Sequence, residues 1–118
     1  MRPEDLFAGH PVASAVLRAV LDLADGLGDV ETRTSRSQVA LRHRRGFAHL
    51  WRPGQYLARP AAEIVLSVVL DRHDDSTRWK EVAHPAPTSW MHHLEVADAA
   101  EIDDEVARWL REAADLAC

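Results

Sequence analysis

The stretch EIVLSVVL, residues 63–70, is the most hydrophobic run in the chain, and its reading decides the fold. Its aliphatic, largely β-branched composition suits a strand, and a strand this apolar belongs in the middle of a sheet. Alternation puts Ile64, Leu66, Val68 and Leu70 toward a core and Val65, Ser67 and Val69 away from it. The second set is still mostly hydrophobic, so the far face of the sheet carries an apolar component of its own. Downstream, WMHHLEV (90–96) repeats the pattern, with Trp90, His92, Leu94 and Val96 inward and Met91, His93 and Glu95 outward. Upstream, VALRH (39–43) and FAHLW (47–51) flank Arg44-Arg45-Gly46, which predicts a hairpin whose three-residue loop holds Gly46 in the left-handed conformation. That register sets His43 opposite Phe47, Leu41 opposite His49 and Val39 opposite Trp51 on the core side. Ala40, Arg42, Ala48 and Leu50 then lie on the outer side. A one-residue slip would exchange the faces, because side chains alternate with a period of two. Val30–Thr34 alternates weakly and reads as an edge strand.

Helices bracket these strands. Val12, Val16, Leu17, Val20, Leu21, Ala24 and Leu27 recur at helical spacing, with Pro11 at a first helical position and Gly28 as a stop. Pro3-Glu4-Asp5 can start a shorter helix that points Leu6 and Phe7 inward. Near the other end Ile102, Val106, Trp109, Leu110, Ala113 and Leu116 form a second stripe, with Asp98 and Glu101 resembling a capping box. The acidic run Asp103, Asp104 and Glu105 suits the positive end of that helix and needs no metal to explain it. The fold class is therefore α+β, a single domain over 1–118. An antiparallel sheet of four to five strands is bracketed by N- and C-terminal helices packed on one face. Of the two long connections, RPGQYLARPAAE (52–63) has room for a short strand at Tyr56 and Leu57. In the other, 71–89, Trp79 serves as an anchor and Arg78, Lys80 and His84 could form a binding edge. Pro85 and Pro87 mark a stiff extended approach to the last strand.

With 47% hydrophobic and 28% charged residues the composition is globular, far from that of disordered chains. The first residues hold no apolar signal core and no stretch approaches a membrane span, so no membrane partner and a cytoplasmic location are expected. Cys118 is the single cysteine, which leaves no internal disulfide and no cysteine-based zinc motif. No Gly-rich phosphate loop, nucleophile elbow, HExxH or internal repeat is present, and no cofactor is implied. Charge is segregated: Arg33 to Arg59 holds seven arginines and no acid, and subtracting those seven from a net charge of −5 leaves −12 for the rest. The basic segment could pair with the acidic helices, or it could stand free as an anion or nucleic-acid surface. Arginine outnumbers lysine thirteen to one, a bias that a GC-rich coding sequence also produces.

His92, set among Trp, Leu and Val, reads as a neutral core imidazole bonded to a backbone carbonyl, although a metal pair with His49 is conceivable. His93 shares the outer face with Arg42, Ser67 and Glu95, where Glu95 could orient the imidazole. The candidate ligand-binding residues are Arg42, Arg44, Arg45, Ser67, His93 and Glu95, with no catalytic residue assigned. Three functions follow. The first is a binding module for a small anion or nucleic acid. The second is a homodimer joined through Leu50, Val65, Val69 and Met91 unless a loop covers them, and the third an enzyme with His93 as base.

PEDLFAGHP, SRSQVALRHRRGFAHLWRP, EIVLSVVLDR, RWKEVAHPAP and WMHHLEV followed by EIDDEVARWLREA resemble, in that order, a bacterial family catalogued as domain of unknown function 5655. The resemblance spans nearly the whole chain and implies an α+β domain with an antiparallel sheet between terminal helices. Relatives that carry such a domain beside nuclease-like or restriction-type domains imply an accessory role near nucleic acid. It brings no catalytic residues, and it directs attention to His93, to Ser37 and Gln38, and to the arginines of LRHRRG.

Overall fold

The computed structural model describes residues 1–118. In chain order it contains helices α1 (Pro3–Leu6) and α2 (Pro11–Ala24), then strands β1 (Glu31–Thr34), β2 (Val39–Arg42), β3 (Gly46–Trp51), β4 (Ile64–Leu70), β5 (Glu81–Ala86) and β6 (Ser89–Val96), and finally helix α3 (Asp104–Leu116). The six strands form one antiparallel sheet in the order β1-β2-β3-β4-β6-β5. β4 is interior, as its composition requires, and Ile64, Leu66, Val68 and Leu70 face the helices at 0–1% exposure. Each such side chain contributes about 1.5–3 kcal/mol by leaving water. On α2 the stripe Val16, Leu17, Val20 and Ala24 is buried, and on α3 the stripe Val106, Trp109, Leu110 and Ala113. Both helices pack on the same face of the sheet. No helix is long and apolar enough to cross a membrane.

The sheet has six strands, one more than the upper expectation, because residues 81–86 pair with β6 instead of running free. Pro85 is tolerated there because β5 is an edge strand and its pairing is interrupted between Ala83 and Ala86. Tyr56 and Leu57 make no strand. They follow a short 3₁₀ turn at Pro53–Gln55 and stay exposed. Asp98 and Glu101 close a separate 3₁₀ turn at Ala99–Glu101, and Asp103 is the residue that caps α3, accepting from the Val106 N–H at 3.1 Å.

The hairpin register differs from expectation by one residue. Val39 faces Leu50, Ala40 faces His49 and Leu41 faces Ala48, after which the ladder jumps to Arg42 opposite Gly46. Phe47 is thus an extra residue in a β-bulge, and Gly46 belongs to the strand without a positive φ. The consequence is an exchange of faces on β3. Ala48 and Leu50 are fully buried under the helices, while His49 and Trp51 turn to the outer face. This parity buries two hydrocarbon side chains and gives the Trp51 indole N–H a partner, the Ser67 oxygen, that the apolar core would not supply. Phe47 remains buried at 1% exposure, stacked on His43 with ring centroids 5.3 Å apart.

The connection from β4 to β5 straps the sheet to α3. The Arg72 guanidinium forks onto both oxygens of Glu112 at 2.9 Å and also bonds Asp74, while Arg78 bonds Asp103, Glu105 and the Glu101 carbonyl. Trp79 wedges between His92 and Trp109 and donates its indole N–H to Asp74 at 2.8 Å. Burial alone would raise the Asp74 pKa, but hydrogen bonds from Trp79, Ser76 and Arg72 outweigh it and hold the carboxyl below its ordinary range. His92 is fully buried. Its Nε2 accepts from the Asp74 N–H at 3.0 Å, so the ring proton sits on Nδ1 and donates to the Trp90 and Val68 carbonyls. Protonating Nε2 would set two N–H groups against each other.

Two predictions follow from this packing. α2 lacks a side-chain cap from His10, and the Glu63 carboxylate accepts instead from the Ala13 N–H at 2.9 Å. Glu63→Ala is expected to lower the urea midpoint by the equivalent of about 1 kcal/mol; an unchanged midpoint contradicts the remote cap. Burial pushes the His92 pKa below the ordinary 6.5, and those of His49 and His93 as well. A depressed histidine pKa contributes stability that is complete above about pH 6.5 and is lost as pH falls through the folded value. Unfolding free energy should therefore fall from about pH 7 to pH 5, less steeply in His92→Leu, which also loses about 1–3 kcal/mol at pH 7 by stranding the Asp74 N–H. Equal slopes in variant and parent would contradict the assignment.

Candidate functional site

The exchanged parity of β3 places His49, Ser67, His93 and Glu81 in one row across β3, β4, β6 and β5 on the outer face. Trp51, Val65 and Glu95 form the next row. Ser67 is 2% exposed, its oxygen accepting from Trp51 Nε1–H at 2.9 Å and lying 2.6 Å from His93 Nδ1. Those two are the partners of the hydroxyl, so its proton is satisfied by donation to Nδ1. Neutral His93 then carries its proton on Nε2 and offers the outer face a donor. Burial lowers the His93 pKa, and the charge of Glu81 across the strand pulls weakly the other way. A base would need the opposite tautomer. Ser67 is unsuited to nucleophilic attack, since its oxygen is enclosed and already accepts from the indole.

The expected set of site residues therefore separates. Ser67 and His93 are bonded to each other, but Glu95 does not orient His93; it pairs with Lys80 at 3.7 Å. Two residues along a strand are roughly 7 Å apart, farther than the serine directly across. A metal pair of His49 and His92 is excluded because the two lie on opposite faces, and no group of three or more potential ligands is assembled elsewhere. The proposed dimer face loses Leu50, which is core, and Val65, which is 4% exposed beside Trp51 and Glu95. The expected binding edge is absorbed too. Arg78 binds the start of α3, Lys80 pairs with Glu95, and His84 stacks on Trp90 at 3.7 Å. Ser37 and Gln38 serve the β1–β2 turn, both bonding Ser35.

Arg42 and Arg45 do meet, at a cleft of about 320 Å³ where the hairpin, the end of β4, the β5–β6 turn and the last turn of α3 converge. Arg42, Arg45, His49 and Ser89 give it a polar side, and Val69 and Met91 an apolar one. Ser67, His93 and Glu95 do not line it. Arg45 donates to the Leu116 carbonyl at 3.0 Å, a cation at the negative end of α3. The Arg44 amide bonds the Ala117 carbonyl and its side chain is exposed. Arg42 Nε and His49 Nδ1 are buried without a hydrogen-bond partner, as is His43 Nε2 behind the hairpin. Leaving such groups unpaired costs about 1–3 kcal/mol each. Burial, with Arg42 and His93 nearby, holds His49 neutral by lowering its pKa. His49 was missed in the sequence because the assumed register turned it inward.

The basic segment does not pair with the acidic helices. Of its seven arginines, Arg33 alone forms an ion pair, with Glu31, whereas the acids of α3 and its approach bind Arg72 and Arg78. The ring-nitrogen assignment gives a direct prediction. Nitrogen-15 spectra at about pH 8 should show His93 protonated on Nε2 and His92 on Nδ1, with Ser67→Ala mixing the tautomers of His93 but not of His92. A His93 protonated on Nδ1 in the parent would contradict the chain from Trp51 through Ser67.

No curated protein and no solved structure matches the chain. The family model described as "Domain of unknown function (DUF5655)" matches residues 4–117. The terminal helices, the six-stranded sheet and the arginine-bearing hairpin all fall within that span, and the chain belongs to this family.

Proposed function

We propose that the chain is an accessory binding module that holds a polyanion, single-stranded nucleic acid foremost, on its basic hairpin and the adjoining outer face. The observation that carries this reading is the unpaired state of six of the seven arginines between residues 33 and 59. Five of them fall in two groups, and the sixth, Arg59, is exposed on the connection to β4. Arg42, Arg44 and Arg45 surround the β2–β3 turn, while Arg36 and Arg52 lie toward the other end of the hairpin, where Gln55 bonds the Arg36 carbonyl at 2.6 Å. The two ends are about 20 Å apart along an extended strand. At the second end stand Trp51 and the exposed Tyr56, edge to face at 5.9 Å, the side-chain type on which unpaired bases stack. A net charge of −5 confines attraction to this surface, since the remainder of the chain repels an anion. A cytoplasmic location forms part of the same reading.

Binding of a single-stranded oligothymidylate should weaken steeply with salt. Arg44→Gln and Arg59→Gln, which remove exposed side chains without other bonds, should each reduce the slope of log affinity against log salt by roughly 0.7. Tyr56→Ala should weaken binding with the slope unchanged. Affinity that is absent, or indifferent to salt, would defeat the proposal.

A further inference from the structure

The cleft behind the hairpin has features that a surface for a polymer does not need. Arg42 and His49 line it beside an apolar wall, and each keeps an enclosed nitrogen, Arg42 Nε and His49 Nδ1, without a hydrogen-bond partner. Its position depends on Gly46. A Cβ there would lie 3.1 Å from His49 Cε1, 3.5 Å from His49 Nε2 and 3.7 Å from Arg42 Nη1, so the missing side chain lets the imidazole and the guanidinium close on one point. No carboxylate lines the cleft. Arg45 already spends an Nη on the Leu116 carbonyl, which leaves Arg42 as the least committed cation. The volume, about 320 Å³, is at the small end of ligand pockets.

We propose that this cleft is a binding site for a small organic carboxylate with a short apolar or aromatic body. The two carboxylate oxygens would accept from Arg42 Nη1–H and from His49 Nε2–H, the nitrogens that converge at Gly46, and the body would lie against Val69 and Met91. Two donors match a two-oxygen monoanion better than a phosphate dianion, whose additional oxygens would face Val69 and Met91. The inference goes beyond the polyanion reading and does not depend on it, because Arg36, Arg44, Arg52 and Arg59 are outside the cleft.

The test is a titration of isotope-labelled full chain with benzoate and with hexanoate, following the Arg42 Nε–H, the His49 ring and the Met91 methyl. Both acids should shift these signals saturably, with Kd on the order of 1 mM. Benzyl alcohol, which lacks the anion, and inorganic phosphate, which lacks the body, should bind at least tenfold more weakly. Arg42→Gln should weaken benzoate at least tenfold, and Met91→Trp should block it by filling the wall. Gly46→Ala supplies a variant with an ordinary backbone conformation in which crowding of His49 alone should weaken binding severalfold. Arg44→Gln should leave benzoate unaffected. No saturable shift, phosphate binding as well as benzoate, or benzoate binding that survives Met91→Trp would each overturn the inference. Loss of the benzoate site with an intact oligothymidylate salt slope would refute the cleft alone, and the converse would refute the polyanion reading alone.

Discussion

The bulge at Phe47 is the constraint on which the outer face depends. One extra residue between Gly46 and Ala48 lets β3 turn Ala48 and Leu50 into the core while β2 keeps Val39 and Leu41 there. His49 and Trp51 are thereby delivered to the other side. Trp51 then reaches Ser67, Ser67 reaches His93, and His49 comes to rest beside Arg42 close against Gly46, where a Cβ would crowd it. A regular hairpin would have placed an imidazole and an indole under the helices, where each N–H would need a buried partner. Hydrophobic burial of Leu50 and the hydrogen bond that the Trp51 indole finds on Ser67 thus favour the same register, and together they offset the ladder bond that the bulge gives up.

The second organising feature is where the charges find partners. Arg72 and Arg78 neutralise acids around α3 and fix the strap that carries Trp79 into the core beside His92. These exposed pairs are individually weak. Their geometric effect is larger, because they occupy acidic groups of α3 and its approach that would otherwise be free to pair with the hairpin. The basic segment is left without intramolecular carboxylates apart from Glu31. Segregation along the sequence therefore persists as a surface able to attract anions, on a molecule whose net charge is negative.

Much of this was legible in the sequence where one periodicity had no rival. β4 and β6 each have a single parity that buries hydrocarbon, so their faces could be assigned, and His92 could be recognised as a neutral core residue. The helical stripes were equally clear. FAHLW was not, since Phe47, His49 and Trp51 form one plausible inward set and Ala48 and Leu50 another, and the choice lies in packing against α3 and β4. β5 was hidden by its polar residues and Pro85, both of which an edge strand accepts. Of the residues expected to form a single site, Arg42 and Arg45 line one cleft, and Ser67 bonds His93 elsewhere on the sheet. The two pairs do not form one site, and Glu95 belongs with Lys80. Which arginines would find carboxylates depended on tertiary contacts spanning as many as 40 residues, as between Arg72 and Glu112, and no local pattern encodes that.

The parity of β3 is open to direct measurement through nuclear Overhauser contacts of the Trp51 indole and the Leu50 methyls. With the bulge at Phe47, the indole should show contacts to Ser67 and His93, and the Leu50 methyls should show contacts within the helix-covered core but none to the His93 ring. The reverse pattern, with the indole against α3 and Leu50 beside His93, would mean a regular hairpin. It would remove the arrangement of Trp51, Ser67 and His93, and with it the cleft at Gly46.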